Sequence, residues 1–145
     1  MAQQNARELV IKRSTVPDGT GTRVFVCGLR TRSFTIANAD IDSTVPNCDD
    51  PSLPIVATSA PGRQTLEFTG DGLADNDAVG LIIFDDARLQ RRVIYEIIIP
   101  GYGTYIGPMA IYDWEFSGDM EEPMAFSATW RPTDAGELIY TPAAP

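Results

Sequence analysis

The chain has 145 residues, 43% of them hydrophobic, which is enough for one packed domain over 1–145 without disulfide staples. Its 20 acids stand against 11 bases for a formal charge of −9, it has no histidine, and Lys12 is its only lysine. Missing histidine removes the commonest general base and metal ligand, and so much negative charge repels a phosphate backbone; histidine-dependent catalysis and sequence-directed nucleic-acid binding are both disfavoured.

The opening residues Met1–Arg7 are polar, so no secretory leader is expected, and the apolar runs are too short to span a bilayer. A soluble protein that stays where it is made is the expectation. Without a secretory context, Cys27 on an apolar strand and Cys48 in a loop read as free thiols.

Glu8–Arg13 reads as a first strand, Pro17-Asp18-Gly19-Thr20-Gly21 as a turn, and Arg23–Leu29 as the second strand of an N-terminal hairpin. Arg32–Thr44 continues as a long strand, apolar at first and acidic at its end, where Asp40 and Asp42 share a face. From Val45 to Gly62 the chain holds Pro46, Pro51, Pro54 and Pro61 with Asn47, Asp49 and Asp50, a density of ring constraints and turn formers that excludes regular structure through most of it. Loops beyond about 12–15 residues are usually functional or disordered. Ile55 and Val56 in the middle of this one have no use in water, so the segment is expected to dock on another copy or partner and to order only then.

Arg63–Thr69 is another strand, with Leu66 and Phe68 opposite Arg63, Thr65 and Glu67. After Gly70-Asp71-Gly72 the period changes. Asp75, Asn76 or Asp77 caps a helix carrying Val79, Ile82, Ile83 and Ala87, and Arg88, Arg91 and Arg92 fall where a helix C-terminus favours cations.

The most informative stretch is Val93–Ser117, two strands around the turn Pro100-Gly101-Tyr102-Gly103. On the first, Val93, Tyr95, Ile97 and Ile99 oppose Ile94, Glu96 and Ile98; on the second, Ala110, Tyr112, Trp114 and Phe116 oppose Met109, Ile111, Asp113, Glu115 and Ser117. The aromatic face is expected in the core, which turns Asp113 and Glu115 the other way. Met124, Phe126, Ala128 and Trp130 alternate along a last strand, and Thr141–Pro145 is expected to fray. The order predicts a mainly β domain, a β-sandwich or open barrel of two packed sheets with one flanking α-helix.

Candidate chemistry is sparse. Asp71, Asp75, Asn76 and Asp77 lack the spacing and terminal Glu of a calcium loop, and Asp40 and Asp42 have no third ligand nearby in sequence. Gly101 and Gly103 are followed by no helix, and Ser14, Ser33 and Ser43 have no histidine to activate them. Asp113 and Glu115 point the same way from one strand, which is poor geometry for a pair that must flank a substrate. No catalytic residue, cofactor or metal is implied. Arg88, Arg91 and Arg92 make sense as an interfacial basic patch in an acidic protein that self-assembles.

The strand Glu8-Leu9-Val10-Ile11-Lys12, the segment Arg32-Ser33-Phe34-Thr35-Ile36 running to Asp40-Ile41-Asp42-Ser43-Thr44, the mid-chain helix, Tyr95–Gly103, Ile106-Gly107-Pro108 and Phe116-Ser117-Gly118 follow one another in an order that resembles the major tail tube proteins of long-tailed phages, closest to the form found in gene transfer agents. The resemblance covers nearly the whole chain and departs from the family in the loop, where Pro46, Asn47, Cys48, Asp49 and Asp50 stand in place of the usual Gly and Trp. It implies a structural subunit of hexameric rings stacked into a hollow tube, with DNA passing through unbound and no insertion into a membrane. It also implies a place in the virion tail after assembly in the bacterial cytoplasm, with a tape measure protein, a tail terminator and distal tail or baseplate proteins as partners. On that reading the lumen acids are Asp113 and Glu115, then Asp40 and Asp42, then Glu67 and Glu96, and the inter-ring loop uses Pro46, Asn47, Asp49, Asp50, Ile55 and Val56. Rival readings are another virion β-sandwich (tail terminator, connector or decoration protein), a monomeric carbohydrate-binding module, and a histidine-free hydrolase. If strand pairing and apolar burial drive assembly, moderate salt, with a Debye length of about 8–10 Å, promotes polymerisation by screening acid repulsion.

Overall fold

A computed structural model describes residues 3–14, 22–26, 28–46, 49–74, 78–134 and 138–143. The turn expected at 17–21, the helix cap expected at 75–77, Asn47 and both cysteines lie outside the described residues. A 3-10 turn at Ala6–Glu8 leads into β1 (Val10–Ser14), β2 (Arg23–Phe25), β3 (Leu29–Asp42), β4 (Ser59–Leu73), α1 (Ala78–Arg88), β5 (Val93–Ile99), β6 (Gly103–Ser117), β7 (Ala125–Pro132) and β8 (Ile139–Pro142). The strands follow one hydrogen-bonded path, β2-β1-β5-β6-β7-β4-β3, with β8 added on β6. The fold is mainly β with one α-helix among the described residues, as expected.

Local chemistry explains the connections. In the turn between β5 and β6, the Tyr102 N–H donates to the Ile99 carbonyl at 3.1 Å, and Gly101 has φ +79°, a left-handed conformation that costs glycine little. Gln90, at φ 55°, ends α1 in the same region, and the Arg91 N–H reaches back to the Asp86 carbonyl at 3.0 Å. β8 pairs with Gly103–Ile106, so the chain end expected to fray from Thr141 is a strand through Pro142; a short proline-bounded segment shows too little period to be read alone.

Two compact units divide the chain: Met1–Phe34 with Glu67–Pro145, and Thr35–Leu66. The first holds the core, where Phe68, Val93, Tyr95, Ile97, Met109 and Trp130 are among the fully buried side chains. Trp130 is its hub, with ring centroids 5.7 Å from Phe68 and 6.2 Å from Tyr95. β3 is three strands from β6 along the path, about 14 Å in a flat sheet. The rings of Phe34 on β3 and Tyr105 on β6 nevertheless lie 5.4 Å apart, so the sheet of this unit rolls over on itself into two packed layers. α1 covers one flank, with Ile83 buried and the Phe84 ring 5.8 Å from Trp114 and 5.5 Å from Phe116.

A buried polar knot joins α1 to the sheet. Arg13 on β1 donates through Nε (2.5 Å) and Nη2 (3.0 Å) to the two Asp86 oxygens, and the Tyr95 hydroxyl donates to Asp86 Oδ2 at 2.8 Å. Burial pulls the Arg13 pKa down, but hydrogen bonding to Asp86 and its charge outweigh that and leave it raised. Burial, followed by the Asp86 charge, pushes the Tyr95 phenol well above its ordinary value.

The second unit is built differently. It contains the ends of β3 and β4 and the segment joining them, and none of its described residues is buried. Ser43 N–H donates to the Thr58 carbonyl at 3.1 Å, Thr58 N–H to Thr44 Oγ1 at 2.9 Å, and Gln64 Nε2 to Asn38 Oδ1 at 3.1 Å. β4 begins at Ser59, so Pro61 and Gly62, read from sequence as the end of the loop, belong to a strand. β7 pairs with β4 only over Phe68–Leu73, which leaves Pro61 on a stretch of β4 where a missing N–H is tolerated.

Candidate functional site

β6 departs from the expected face sorting. Met109 and Ile111 are in the core, while Tyr112 is 52% exposed and Phe116 is also exposed. The expectation that Tyr112, Trp114 and Phe116 all fill the core is therefore corrected: of the three, only Trp114 packs against it. The cause is a β-bulge. Ile111 pairs with Trp130 and Asp113 with Thr129, so Tyr112 is an extra residue that resets the alternation. Asp113 and Glu115 face away from the core all the same.

The register across β4, β7 and β6 then builds one polar surface. Phe126, Ala128 and Trp130 of β7 point into the core, so Ser127, Thr129 and Arg131 take the opposite face, where Thr129 is itself buried and Ser127 and Arg131 are half-buried. Directly paired residues share a face. Asp113 pairs with Thr129, which pairs with Thr69; Glu115 pairs with Ser127, which pairs with Asp71. Asp71 and Glu115 thus flank Ser127, and Asp113 stands two residues along the same strand. Arg131 at the far end holds Glu67 through Nη2 (3.3 Å) and Nε (3.4 Å) and lies 5.4 Å from the Tyr112 ring centroid. With Glu67 countered, the uncompensated negative charge of the strip comes from Asp71, Asp113 and Glu115.

The remaining predicted residues fall elsewhere. Glu96 on β5 sits between apolar neighbours and pairs with Arg23 at 3.6 Å, outside the strip. Asp40 and Asp42 are exposed in the second unit. There the Thr44 N–H donates to Asp42 Oδ1 at 2.9 Å and holds that carboxyl below the usual range. Asp50 is likewise lowered, by the Ser52 hydroxyl at 2.6 Å and its N–H at 3.1 Å. Pro46, Asp49, Ile55 and Val56 are exposed. Arg88 pairs with Asp85 at 3.0 Å and Arg91 approaches Asp86 at 3.8 Å, so two arginines of the expected interface patch already have partners within the chain; Arg92 is exposed beside them.

Asp71 was missed as a member of this face because the strand was expected to end at Thr69, before the glycines that flank it, whereas β4 runs on to Leu73. Those glycines serve close approach: a Cβ on Gly70 would meet Leu29 Cδ2 at 2.8 Å, and one on Gly72 would meet the Gly28 carbonyl oxygen at 1.8 Å. Extending the alternation of Glu67 and Thr69 across the glycines would have found it. Among the described residues no group of three or more potential ligands gathers to hold a metal. The strip presents carboxylates side by side on a rigid sheet, a surface that repels phosphate.

A family model described as phage tail tube protein matches residues 3–132. The tail of an empty gene transfer agent particle, computed with helical refinement in C6 symmetry, contains a chain that superposes with a TM-score of 0.77 at 19% identity, covering 96% of this chain and 99% of that one. A chain from the virion of a native gene transfer agent particle gives 0.76 at 17% identity, with 96% and 99% covered. The SPP1 tail tube gives 0.59 at 12% identity, covering 95% of this chain and 79% of that one. At these identities the likeness is one of fold. No curated protein matches the chain by sequence.

Proposed function

This chain belongs to the phage tail tube protein family, and on that premise we propose that its copies close into six-membered rings and stack, turning the strip of Asp71, Asp113 and Glu115 toward the bore. The protein is a structural tail tube subunit. The ring count follows the sixfold symmetry of the gene transfer agent tail, whose subunit shares the fold. The observation that carries the orientation is the cross-strand strip itself: three uncompensated carboxylates on a sheet face backed by core. Such a wall repels the DNA backbone and lets it pass, whereas a basic wall would retain it through counterion release.

The second unit supplies the contact between rings. A two-stranded ribbon without a core is marginal in water, and its connecting segment exposes Val45, Ile55 and Val56; Pro46, Asp49 and Asp50 add to that surface. A tape measure protein in the bore, a tail terminator at one end and distal tail or baseplate proteins at the other are the partners such a tube takes, with assembly in the bacterial cytoplasm. Asp40, Asp42, Glu67 and Glu96 remain secondary candidates for the lumen.

Charge reversal tests the orientation. Subunits with Asp113→Lys and Glu115→Lys keep the core intact and are expected to build normal tubes while DNA delivery by the particles falls. Delivery at the unaltered rate from well-formed particles overturns the lumen assignment.

A further inference from the structure

We infer that the outward face of α1 is the seat for residues 43–58 of a second copy in the adjacent ring, an inference that rests on the tail tube reading. Val79, Ile83 and Ala87 face the core, yet Leu81 and Ile82 on the helix and Leu89 just past its end are exposed, Leu81 at 55%. A helix with apolar side chains on more than its core-facing side, its charges confined to Asp85, Asp86 and Arg88, normally buries more than one side. Here the chain's own unit covers one side only, so the other asks for a cover.

Charge identifies that cover. Leu81, Asp85 and Arg88 are spaced to share one stripe, and Arg91 and Arg92 follow the helix, so the apolar patch runs past the single acid Asp85 to a group of three arginines. The pair between Arg88 and Asp85 is exposed, and such pairs hold weakly enough for Arg88 to take a second carboxylate. Residues 43–58 are the counterpart. They contain Asp49 and Asp50, no lysine or arginine, and the exposed side chains Ile55 (62%) and Val56 (74%). Apolar groups beside acids on one surface meet apolar groups beside bases on the other, a match that sets register as well as affinity.

Unaltered protein is first assembled and imaged by electron microscopy. Leu81→Glu and Val56→Glu, both at exposed positions, are expected to leave the unfolding midpoint of the subunit unchanged and to reduce ring stacking on the order of tenfold. Asp49→Arg with Asp50→Arg should lose stacking, as should Arg88→Asp with Arg92→Asp, and combining the two sets in one chain should restore it. Normal stacking by folded Leu81→Glu protein, or no restoration in the combined swap, overturns the α1 seat while leaving the tube reading intact. Absence of tubes from the unaltered protein overturns the tube reading, and the seat with it.

Discussion

β3 and β4 run through both units, and the two ends of the same strands are held by different means. In the Met1–Phe34 and Glu67–Pro145 unit, Phe68 is fully buried against Trp130, and the Arg13–Asp86 knot fastens α1 to the sheet. In Thr35–Leu66 no described side chain is buried, and polar contacts such as that between Ser43 and Thr58 link strands whose surfaces are open to water. Hydrophobic burial fixes the first part within a single chain. The second shows no such burial among its described residues, which is what the proposed contact between rings asks of an element that joins subunits.

The largest contrast lies in carboxylates. Asp86→Ala leaves the Arg13 guanidinium buried without its partner and should cost about 3–5 kcal/mol, whereas Asp42→Ala in the second unit should leave the midpoint of urea unfolding where it was. Comparable losses at the two sites would erase the distinction. Glycines sharpen it at a smaller scale. A methyl on Gly72 meets backbone at 1.8 Å, so Gly72→Ala should cost about 1–3 kcal/mol. A methyl on Gly62 meets the exposed Ile41 side chain at 2.8 Å, which can turn aside, and the Ala39 carbonyl oxygen at an ordinary 3.4 Å, so Gly62→Ala should stay within about 0.5 kcal/mol by the same denaturation measurement. The mildest test uses limited proteolysis of unaltered protein. Cuts should collect within 43–58 in free subunits, spare the first unit, and disappear in tubes; equal cutting in both states would deny the second unit a role in assembly.

Much of this was legible in the sequence because period and burial agree over long stretches. Val93, Tyr95 and Ile97 alternate into the core as read, and Phe126, Ala128 and Trp130 do the same. The reading failed where one residue broke a period that the letters carry on unbroken. Ala110 to Phe116 alternates without interruption, so nothing local reveals that Tyr112 is the extra residue of a bulge fixed by pairing with β7. Asp71 was hidden by glycines whose reason is the approach of Gly28 and Leu29 from β3. The Arg13–Asp86 pair joins residues 73 positions apart and has no local signature.

The order of the strands in space also bears on how the chain is made. β5, β6 and β7 are consecutive in sequence and adjacent in the sheet, so they close over short loops at small entropic cost. β1 and β4 are synthesised earlier, yet β1 meets β5 and β4 meets β7 only after those later strands exist. A nascent chain therefore carries its ribbon, with Ile55 and Val56 uncovered, through the synthesis of β5, β6 and β7 before the core that anchors β4 can form. Within the ribbon Asp40, Asp42, Asp49 and Asp50 stand against the single base Arg63, a local negative charge that opposes pairing between neighbouring nascent chains during the interval.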